Sequence, residues 1–506
     1  MDWTQDSPHE VRLYTAAEVR QLDRCAIEAQ GIAGEILMER AGQATFECIR
    51  SRFPDIRHWC VICGGGNNGG DGYVIARLAT EAGIDCVLYA LRAPHGLSGD
   101  AALAAQRWSD AGGVAVDALD AIGGPDTLFV DALLGTGVNR PAEGQYAAAI
   151  AAMNQPGSVA VSVDIPSGLN ADTGQAMGGV AVNARATVTF IGQKRGLYTA
   201  DGPDHAGIVE FSRLEVPDSV YETVQHSGIL IQENIIAQFL RPRPRNSHKG
   251  DFGWLLGVGG DQGMCGALLL CGTAALRSGA GKVTLLTHPG HANTLNANRP
   301  ELMVRGIGDG GGIEAFSEAC DVMVLGTGLG QSAWSRSVLE ASLMVQKPMV
   351  IDADGLNLMA KDGVLESFSQ DETVAVLTPH PAEAARLLKD SAAAVQADRV
   401  GAAQELARRS GAVVVLKGCG TVVSGPDGRY AICTLGNPGM ASGGTGDVLA
   451  GVIGAMLAQG LGAWAAAMVG VVAHAAAGDR AARQVGERGM VAGDIVERLP
   501  AVLNPR

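Results

Sequence analysis

Short apolar runs alternate with longer amphipathic or alanine-rich stretches along most of this chain. Thr15-Ala16-Ala17-Glu18 has the spacing of a capping box, so a helix is predicted to start there. A second helix is predicted after Gly31, reaching about Phe53. Strands are then predicted at 59–63, 86–91, 128–133, 159–163 and 186–191, each a compact apolar run. Gly/Asn/Asp/Pro loops follow four of them, and helix-like stretches separate the earlier ones. That alternation predicts a Rossmann-like, doubly wound parallel sheet. The pattern lapses between Val216 and about Asn246, where Arg241-Pro242-Arg243-Pro244-Arg245 reads as a stiff, solvated connector. It resumes with strands at 254–258, 283–286, 322–325, 349–351, 374–377 and 413–416. The two halves share no motif, so the chain reads as a fusion of two different α/β domains, over residues 15–217 and 230–500.

The most apolar tract, Val448 to Ala477, is split by Gln459-Gly460-Leu461-Gly462 into pieces shorter than the roughly 18 residues a membrane span needs. Two packed core helices are the reading. A chain of 506 residues is long enough for two domains, and 47% apolar residues are enough for two cores. With 4% aromatics and 70 glycines, those cores are mostly aliphatic and the loops many. A net charge of −15 argues against nucleic acid or an anionic membrane as partner, since both need a positive surface. Met1-Asp2-Trp3-Thr4-Gln5-Asp6 has neither the basic nor the apolar region of a signal peptide. Cys60-Val61-Ile62-Cys63 lies in a predicted strand with no second pair at metal spacing, so buried free thiols and a cytoplasmic protein are expected.

Two glycine-rich loops each deliver an aspartate to the start of a predicted helix. In the first, Gly64-Gly65-Gly66-Asn67-Asn68-Gly69-Gly70-Asp71-Gly72, the G-x-G-x-x-G spacing follows a strand. Asp71 would place negative charge where a pyrophosphate is usually seated, and Leu91-Arg92 replaces the acid expected at the end of the second strand. A standard hydride-transfer pocket is therefore disfavoured. Two further loops fall at later strand ends: Asp131-Ala132-Leu133-Leu134-Gly135-Thr136-Gly137-Val138-Asn139-Arg140-Pro141 and Asp164-Ile165-Pro166-Ser167-Gly168. Arg140 suits a phosphate, while Asn68, Asp131 and Ser167 offer hard oxygen donors of the kind that bind alkali or alkaline-earth cations.

These three loops resemble those of the NAD(P)H-hydrate epimerase family. The resemblance implies an enzyme that interconverts the R and S forms of NADH and NADPH hydrated at C6 of the nicotinamide ring. It implies that Asn67, Asn68, Gly69, Gly70, Asp71, Gly135, Thr136, Gly137, Val138, Asn139, Arg140 and Pro141 contact the nucleotide. It further implies that Asp164 is the acid–base group, and that Asn68, Asp131 and Ser167 hold a potassium ion.

The second loop, Gly443-Gly444-Thr445-Gly446-Asp447, precedes the apolar run from Val448. N–H groups at that helix start would form an anion hole for phosphoryl oxygens, with Asp447 able to take a proton from an attacking hydroxyl. No Walker A loop is present: Ser278-Gly279-Ala280-Gly281-Lys282-Val283 lacks its upstream glycine and the Ser/Thr after lysine. The string resembles the ribokinase-like superfamily. Gly326-Thr327-Gly328-Leu329-Gly330, Asp352-Ala353-Asp354-Gly355, Thr378-Pro379-His380-Pro381-Ala382-Glu383 and Lys417-Gly418-Cys419-Gly420-Thr421 narrow the resemblance to its ADP/ATP-dependent NAD(P)H-hydrate dehydratases. This implies that Ala267, Gly326, His380 and Asp447 contact the hydrate. Lys417, Gly418, Cys419, Gly420, Thr421, Gly443, Gly444, Thr445 and Gly446 would bind ADP or ATP, with magnesium. Asp352 and Asp354 could bind magnesium or cap a turn. The alternative is a small-molecule kinase fused to a non-catalytic Rossmann-like module. A homo-oligomer is expected.

Overall fold

The computed structural model describes residues 11–116, 118, 126–365 and 375–504, and its chain divides into two compact units that meet in sequence between Ile229 and Leu230. The segment read against a signal peptide, and Val374, lie outside the described residues.

In the first unit, β1 (Val11–Tyr14) precedes β2 (His58–Cys63), β3 (Asp85–Ala90), β4 (Ala115–Val116), β5 (Thr127–Ala132), β6 (Val159–Val163), β7 (Ala186–Phe190), β8 (Gln193–Lys194) and β9 (Ile208–Ser212). Seven of these form one sheet in the order β4-β3-β2-β5-β6-β7-β9, with every pair parallel. β1 and β8 lie outside that sheet and pair in parallel with each other, with Tyr14 opposite Lys194. The central strands are buried on both faces, as parallel sheets covered by helices must be. On one face Val61, Cys63, Val130 and Val163 pack with residues of the helices Gly34–Arg52, Asn67–Glu81 and Gly99–Asp110. On the other, Cys60, Ile62 and Phe129 pack with Ala149, Ile150 and Met153 of Gln145–Met153. The sheet is therefore doubly wound. Alternation along β2 also puts Cys60 and Cys63 on opposite faces, so the CxxC pair holds neither a disulfide nor a shared metal. None of the ten cysteines forms a disulfide; five are buried as expected, Cys25, Cys48, Cys86 and Cys265 are half-buried, and Cys419 is exposed.

Beyond β10 (Gly228–Ile231), the second unit contains β11 (Trp254–Val258), β12 (Lys282–Thr287), β13 (Met303–Gly306), β14 (Val322–Leu325), β15 (Met349–Ile351), β16 (Ala375–Leu377), β17 (Val413–Leu416), β18 (Thr421–Ser424) and β19 (Tyr430–Cys433). They run β13-β12-β11-β14-β15-β16-β17-β18-β19, parallel as far as β17 and antiparallel through the last two. The apolar tract splits as the sequence indicates, into the helices Thr445–Ala458 and Ala463–Val485. Among the described residues no helix is long and apolar enough to cross a membrane. The Arg/Pro connector is exposed, as expected, but Arg243 is docked. Its guanidinium lies 3.5 Å from the Phe252 ring centroid and donates to the Gly279 carbonyl at 2.6 Å.

Candidate active sites

In the first unit the strand order reverses between β2 and β5, and ligands of open α/β sheets bind outside the C-terminal strand ends at such a point. The loop after β2 is built for close approach. A Cβ on Gly64 would sit 1.9 Å from the Leu133 carbonyl oxygen, and one on Gly69 would sit 2.1 Å from the Gly64 carbonyl oxygen. These glycines join the two loops and close the helix start, a packing requirement the sequence pattern alone does not separate from ligand contact. Asn67 is exposed, Asn68, Gly69, Gly70 and Asp71 are buried, and Gly137, Asn139, Arg140 and Pro141 form an exposed rim with half-buried Gly135, Thr136 and Val138. The Asn170 side chain holds this rim by donating to the Val138 carbonyl at 3.1 Å.

Asn68, Asp131 and Ser167 meet around Leu134. The Asn68 amide donates to the Leu134 carbonyl at 3.1 Å, and Ser167 Oγ accepts from the Leu134 N–H at 2.8 Å. Asp131 is fully buried and takes hydrogen bonds from the Ser162 hydroxyl (2.7 Å), the Ser167 hydroxyl and the backbone N–H groups of Ser167 (2.8 Å) and Leu133 (3.3 Å). Burial pushes its carboxyl up from the usual range, and the Ser167 and Ser162 hydrogen bonds oppose that. No ion pair to Asp131 forms among the described residues.

Asp164 follows β6 with φ of 66°, a left-handed conformation rare outside glycine. Its side chain is mostly buried and ion-paired to Lys194, which is itself buried. Burial, then the neighbouring Asp164 and Asp23 carboxyls, pushes Asp71 well above the usual carboxylate range. Burial raises Asp23 to about 6, with Lys194 opposing. Sequence reasoning missed Asp23 and Lys194, since both reach this cluster from elements that carry no motif.

In the second unit the order reverses between β11 and β14. The loops after both strands are tied together: Gly260 N–H donates to the Thr327 carbonyl at 3.1 Å and Asp261 N–H to the Gly328 carbonyl at 2.8 Å. Ala267 borders this junction, its methyl 3.0 Å from where a Gly328 Cβ would lie. Gly326 has φ of +115°, and a Cβ there would fall 2.0 Å from the Asp352 carbonyl oxygen.

A charged cluster occupies the ends of β15, β16 and β17. Lys417 Nζ donates to Asp352 Oδ1 at 2.6 Å and lies 3.9 Å from Glu383 Oε2. The Thr378 hydroxyl also donates to Asp352 Oδ1, at 2.8 Å. A Cβ on Gly446 would be 3.3 Å from Lys417 Nζ, so the second glycine-rich loop closes over this cluster. Burial works against the Lys417 charge, but Asp352 and Glu383 outweigh it and hold the ammonium above its usual range. Burial and then Asp352 push the half-buried Asp447 up to about 7, against the opposing pull of Lys417. Lys417 thus points into the carboxylates rather than along its own loop.

His380 Nδ1 accepts from the Ala382 N–H at 3.1 Å and caps the helix Pro381–Leu388, leaving half its side chain exposed. Burial, then Lys417, lowers its pKa. Asp354 accepts from the Gly330 N–H at 2.9 Å and the Asn357 amide at 3.3 Å. Neither Asp352 nor Asp354 caps its helix through its side chain. Gly418 (φ +135°), Cys419 and Gly420 (φ +61°) make the turn between β17 and Thr421. Arg399, buried below, donates to the carbonyls of Leu416 and Lys417 at 3.2 Å. Gly443 is open to solvent, Gly444 is the left-handed N-cap of Thr445–Ala458, and the Thr445 hydroxyl donates to the carbonyls of Met440 and Ser442.

Residues 34–196 match the family described as YjeF-related protein N-terminus, and residues 255–501 match NAD(P)H-hydrate dehydratase. The chain is 42% identical to the bifunctional NAD(P)H-hydrate repair enzyme of Coxiella burnetii, over 97% of this chain and 99% of that one. It is 43% identical to the Escherichia coli enzyme of the same description, over 98% and 95%. A crystal structure of the ADP/ATP-dependent NAD(P)H-hydrate dehydratase of Bacillus subtilis, co-crystallised with ATP and Mg2+, is 29% identical; it covers 54% of this chain and 96% of that one, with a TM-score of 0.49. Identity of this order along both units together places the chain in one group: it belongs to the family of bifunctional NAD(P)H-hydrate repair enzymes.

Proposed function

We propose that the first unit epimerises R and S hydrates of NADH and NADPH at Asp164, and that the second dehydrates the S form at Asp447 with ADP or ATP consumed. One observation carries this reading. Each carboxylate is partly exposed at the C-terminal edge of its own parallel sheet, beside a glycine-rich helix start. Neither is sealed in an apolar core.

In the first unit, residues Asn67–Asp71 and Gly135–Pro141 border the nucleotide, and Asp164 gives a proton to the C6 hydroxyl as it leaves as water and takes one back from the water that adds to the other face. Asn68, Asp131 and Ser167 fit a monovalent cation. Asn68 and Ser167 both bond Leu134, the Ser167 hydroxyl also bonds Asp131, and Asp131 is a buried carboxylate without a cationic partner among the described residues. Potassium there would neutralise Asp131 and fix the loop carrying Gly135.

In the second unit, Asp447 takes the proton of the C6 hydroxyl as its oxygen attacks the terminal phosphorus of the nucleotide. ADP would leave as AMP, or ATP as ADP. The resulting phosphate ester then loses phosphate from C6 and a proton from C5, which restores the ring double bond. Phosphate is a far better leaving group than hydroxide, so a kinase fold suits a dehydration. N–H groups at Gly443–Gly446 face the phosphoryl oxygens, and Lys417–Thr421 line the nucleotide. Ala267, Gly326 and His380 border the hydrate. Magnesium would arrive on the phosphates, because Asp352 and Asp354 are already engaged and no cluster of three ligating His, Cys, Asp or Glu side chains forms among the described residues. We place the protein in the cytoplasm as a homo-oligomer.

Separated R and S hydrates, each incubated with ADP and with ATP, test this. S hydrate should regain the absorbance of the reduced nicotinamide with nucleotide alone, and R hydrate through the epimerase. A stable phosphorylated product without that recovery would make the second unit a simple kinase.

A further inference from the structure

Lys194 has no motif, yet it is the best-defined neighbour of Asp164. It lies in the two-residue strand β8, held beside β1 by parallel pairing, and its side chain is 1% exposed. Its ammonium donates to Asp164 Oδ1, to the Thr189 hydroxyl at 3.1 Å and to the Phe190 carbonyl at 2.9 Å. An ammonium has three donors, so this set uses all of them. Asp164 Oδ1 also accepts from the Phe190 N–H at 3.3 Å and the Thr189 hydroxyl at 3.4 Å.

Every hydrogen bond to the Asp164 carboxylate among the described residues therefore converges on Oδ1. Oδ2 has none, although the side chain is 17% exposed and stands at the strand end where the sheet opens. A carboxylate held by one oxygen leaves the other in a fixed direction. We infer that Lys194 is a positioning residue of the epimerase: it locks Asp164 Oδ1 against the sheet and thereby presents Oδ2 to the hydrated ring. The inference rests on reading Asp164 as the acid–base group. It also gives the left-handed turn at Asp164 a purpose, since that turn sets the direction from which Oδ1 meets Lys194. The nearby Asp23 and Asp71 carboxyls make this cation harder to replace, because its removal leaves acids facing one another.

The test uses the full chain, whose dehydratase is an internal control. Lys194→Met should lower kcat for R-to-S epimerisation by about 100-fold, the order expected when a catalytic group loses its fixed geometry, with KM changed less than about threefold. Dehydration of supplied S hydrate should be unchanged. Asp164→Asn should be at least as impaired, and Asp164→Asn/Lys194→Met should be no worse than Asp164→Asn alone, because Lys194 acts only through Asp164. The double variant removes both partners of the pair and so leaves neither unpaired; a thermal stability above that of Lys194→Met without recovery of epimerisation separates positioning from folding. Lys194→Gln, which keeps a donor, should lose less kcat than Lys194→Met. Epimerisation by Lys194→Met within threefold of the unmodified protein, or additive losses in the double variant, would overturn the inference. An Asp164→Asn protein that still epimerises would instead remove the reading of Asp164 on which it stands.

Discussion

Lys417 Nζ lies 2.6 Å from Asp352 Oδ1, joining the ends of two strands, β17 and β15, that are not neighbours in the sheet. Asp352 is almost wholly buried, and this partner and the Thr378 hydroxyl both bond its Oδ1. Lys417→Met should destabilise the second unit by about 3–5 kcal/mol, the range for removing one partner of a buried pair. Calorimetry should show this as a lowered transition, while R/S epimerisation continues at temperatures below it.

The same pair tunes Asp447. A carboxyl acting as base must be deprotonated, so S-hydrate dehydration should rise with pH through about 7 and level off above it. Asp352 pushes the Asp447 value up, so Asp352→Asn should move that rising limb to lower pH. Lys417 pulls the value down, so Lys417→Met should move the limb to higher pH. The pH dependence of kcat/KM in the three proteins decides it; shifts in the same direction would contradict the assignment of Asp447.

The two activities should be separable by single changes. Asp164→Asn should cut R-hydrate turnover by about 10²–10⁴-fold and leave S-hydrate turnover intact. Asp447→Asn should abolish recovery of reduced coenzyme from both forms, yet R and S should still interconvert, as chromatography of the hydrates would reveal.

Exchange of potassium for a large organic cation should slow epimerisation without affecting dehydration. Ser167→Ala should raise the potassium concentration needed for half-maximal epimerisation, because the Ser167 hydroxyl lies against both Leu134 and Asp131. A rate independent of the cation would remove potassium from the first site.

Gly64→Ala should unfold the loop after β2, since a Cβ would lie 1.9 Å from the Leu133 carbonyl oxygen and backbone has little room to retreat. Loss of epimerase activity with the dehydratase preserved would show it, and a proton-exchange map should place the damage near Asn67–Glu81.

Much of this architecture is legible in local sequence because buried parallel strands are continuous apolar runs. Val322–Leu325 and Val413–Leu416 announce themselves in this way. β9 does not, because it is an edge strand whose Ile208 and Phe211 are exposed, and β4 has only two residues. The β18–β19 hairpin is absent from the predicted strands, although Gly425-Pro426-Asp427-Gly428 is a plain turn signal between two short apolar runs. In the sites, the glycine loops and the two aspartates carry motifs. The partner of Asp164 does not, and the motifs that hold Lys417 and Asp352 do not show that the two residues meet. Lys194 reaches Asp164, and Lys417 reaches Asp352, through tertiary packing that no window along the chain contains. Glu383 was visible within its motif, but nothing local shows that it would turn back to the His380 N–H and face Lys417.

The φ of 66° at Asp164 has a bearing on how this protein can be improved. A side chain other than glycine in that region costs about 1–3 kcal/mol. Asp164→Gly would relax the turn but strip the buried Lys194 of its anion, a loss of about 3–5 kcal/mol that outweighs the relief, so the variant would lose stability as well as epimerisation. Engineers seeking a hardier catalyst from this scaffold should leave that bend alone and look for added resilience in surface helices distant from both reaction centres.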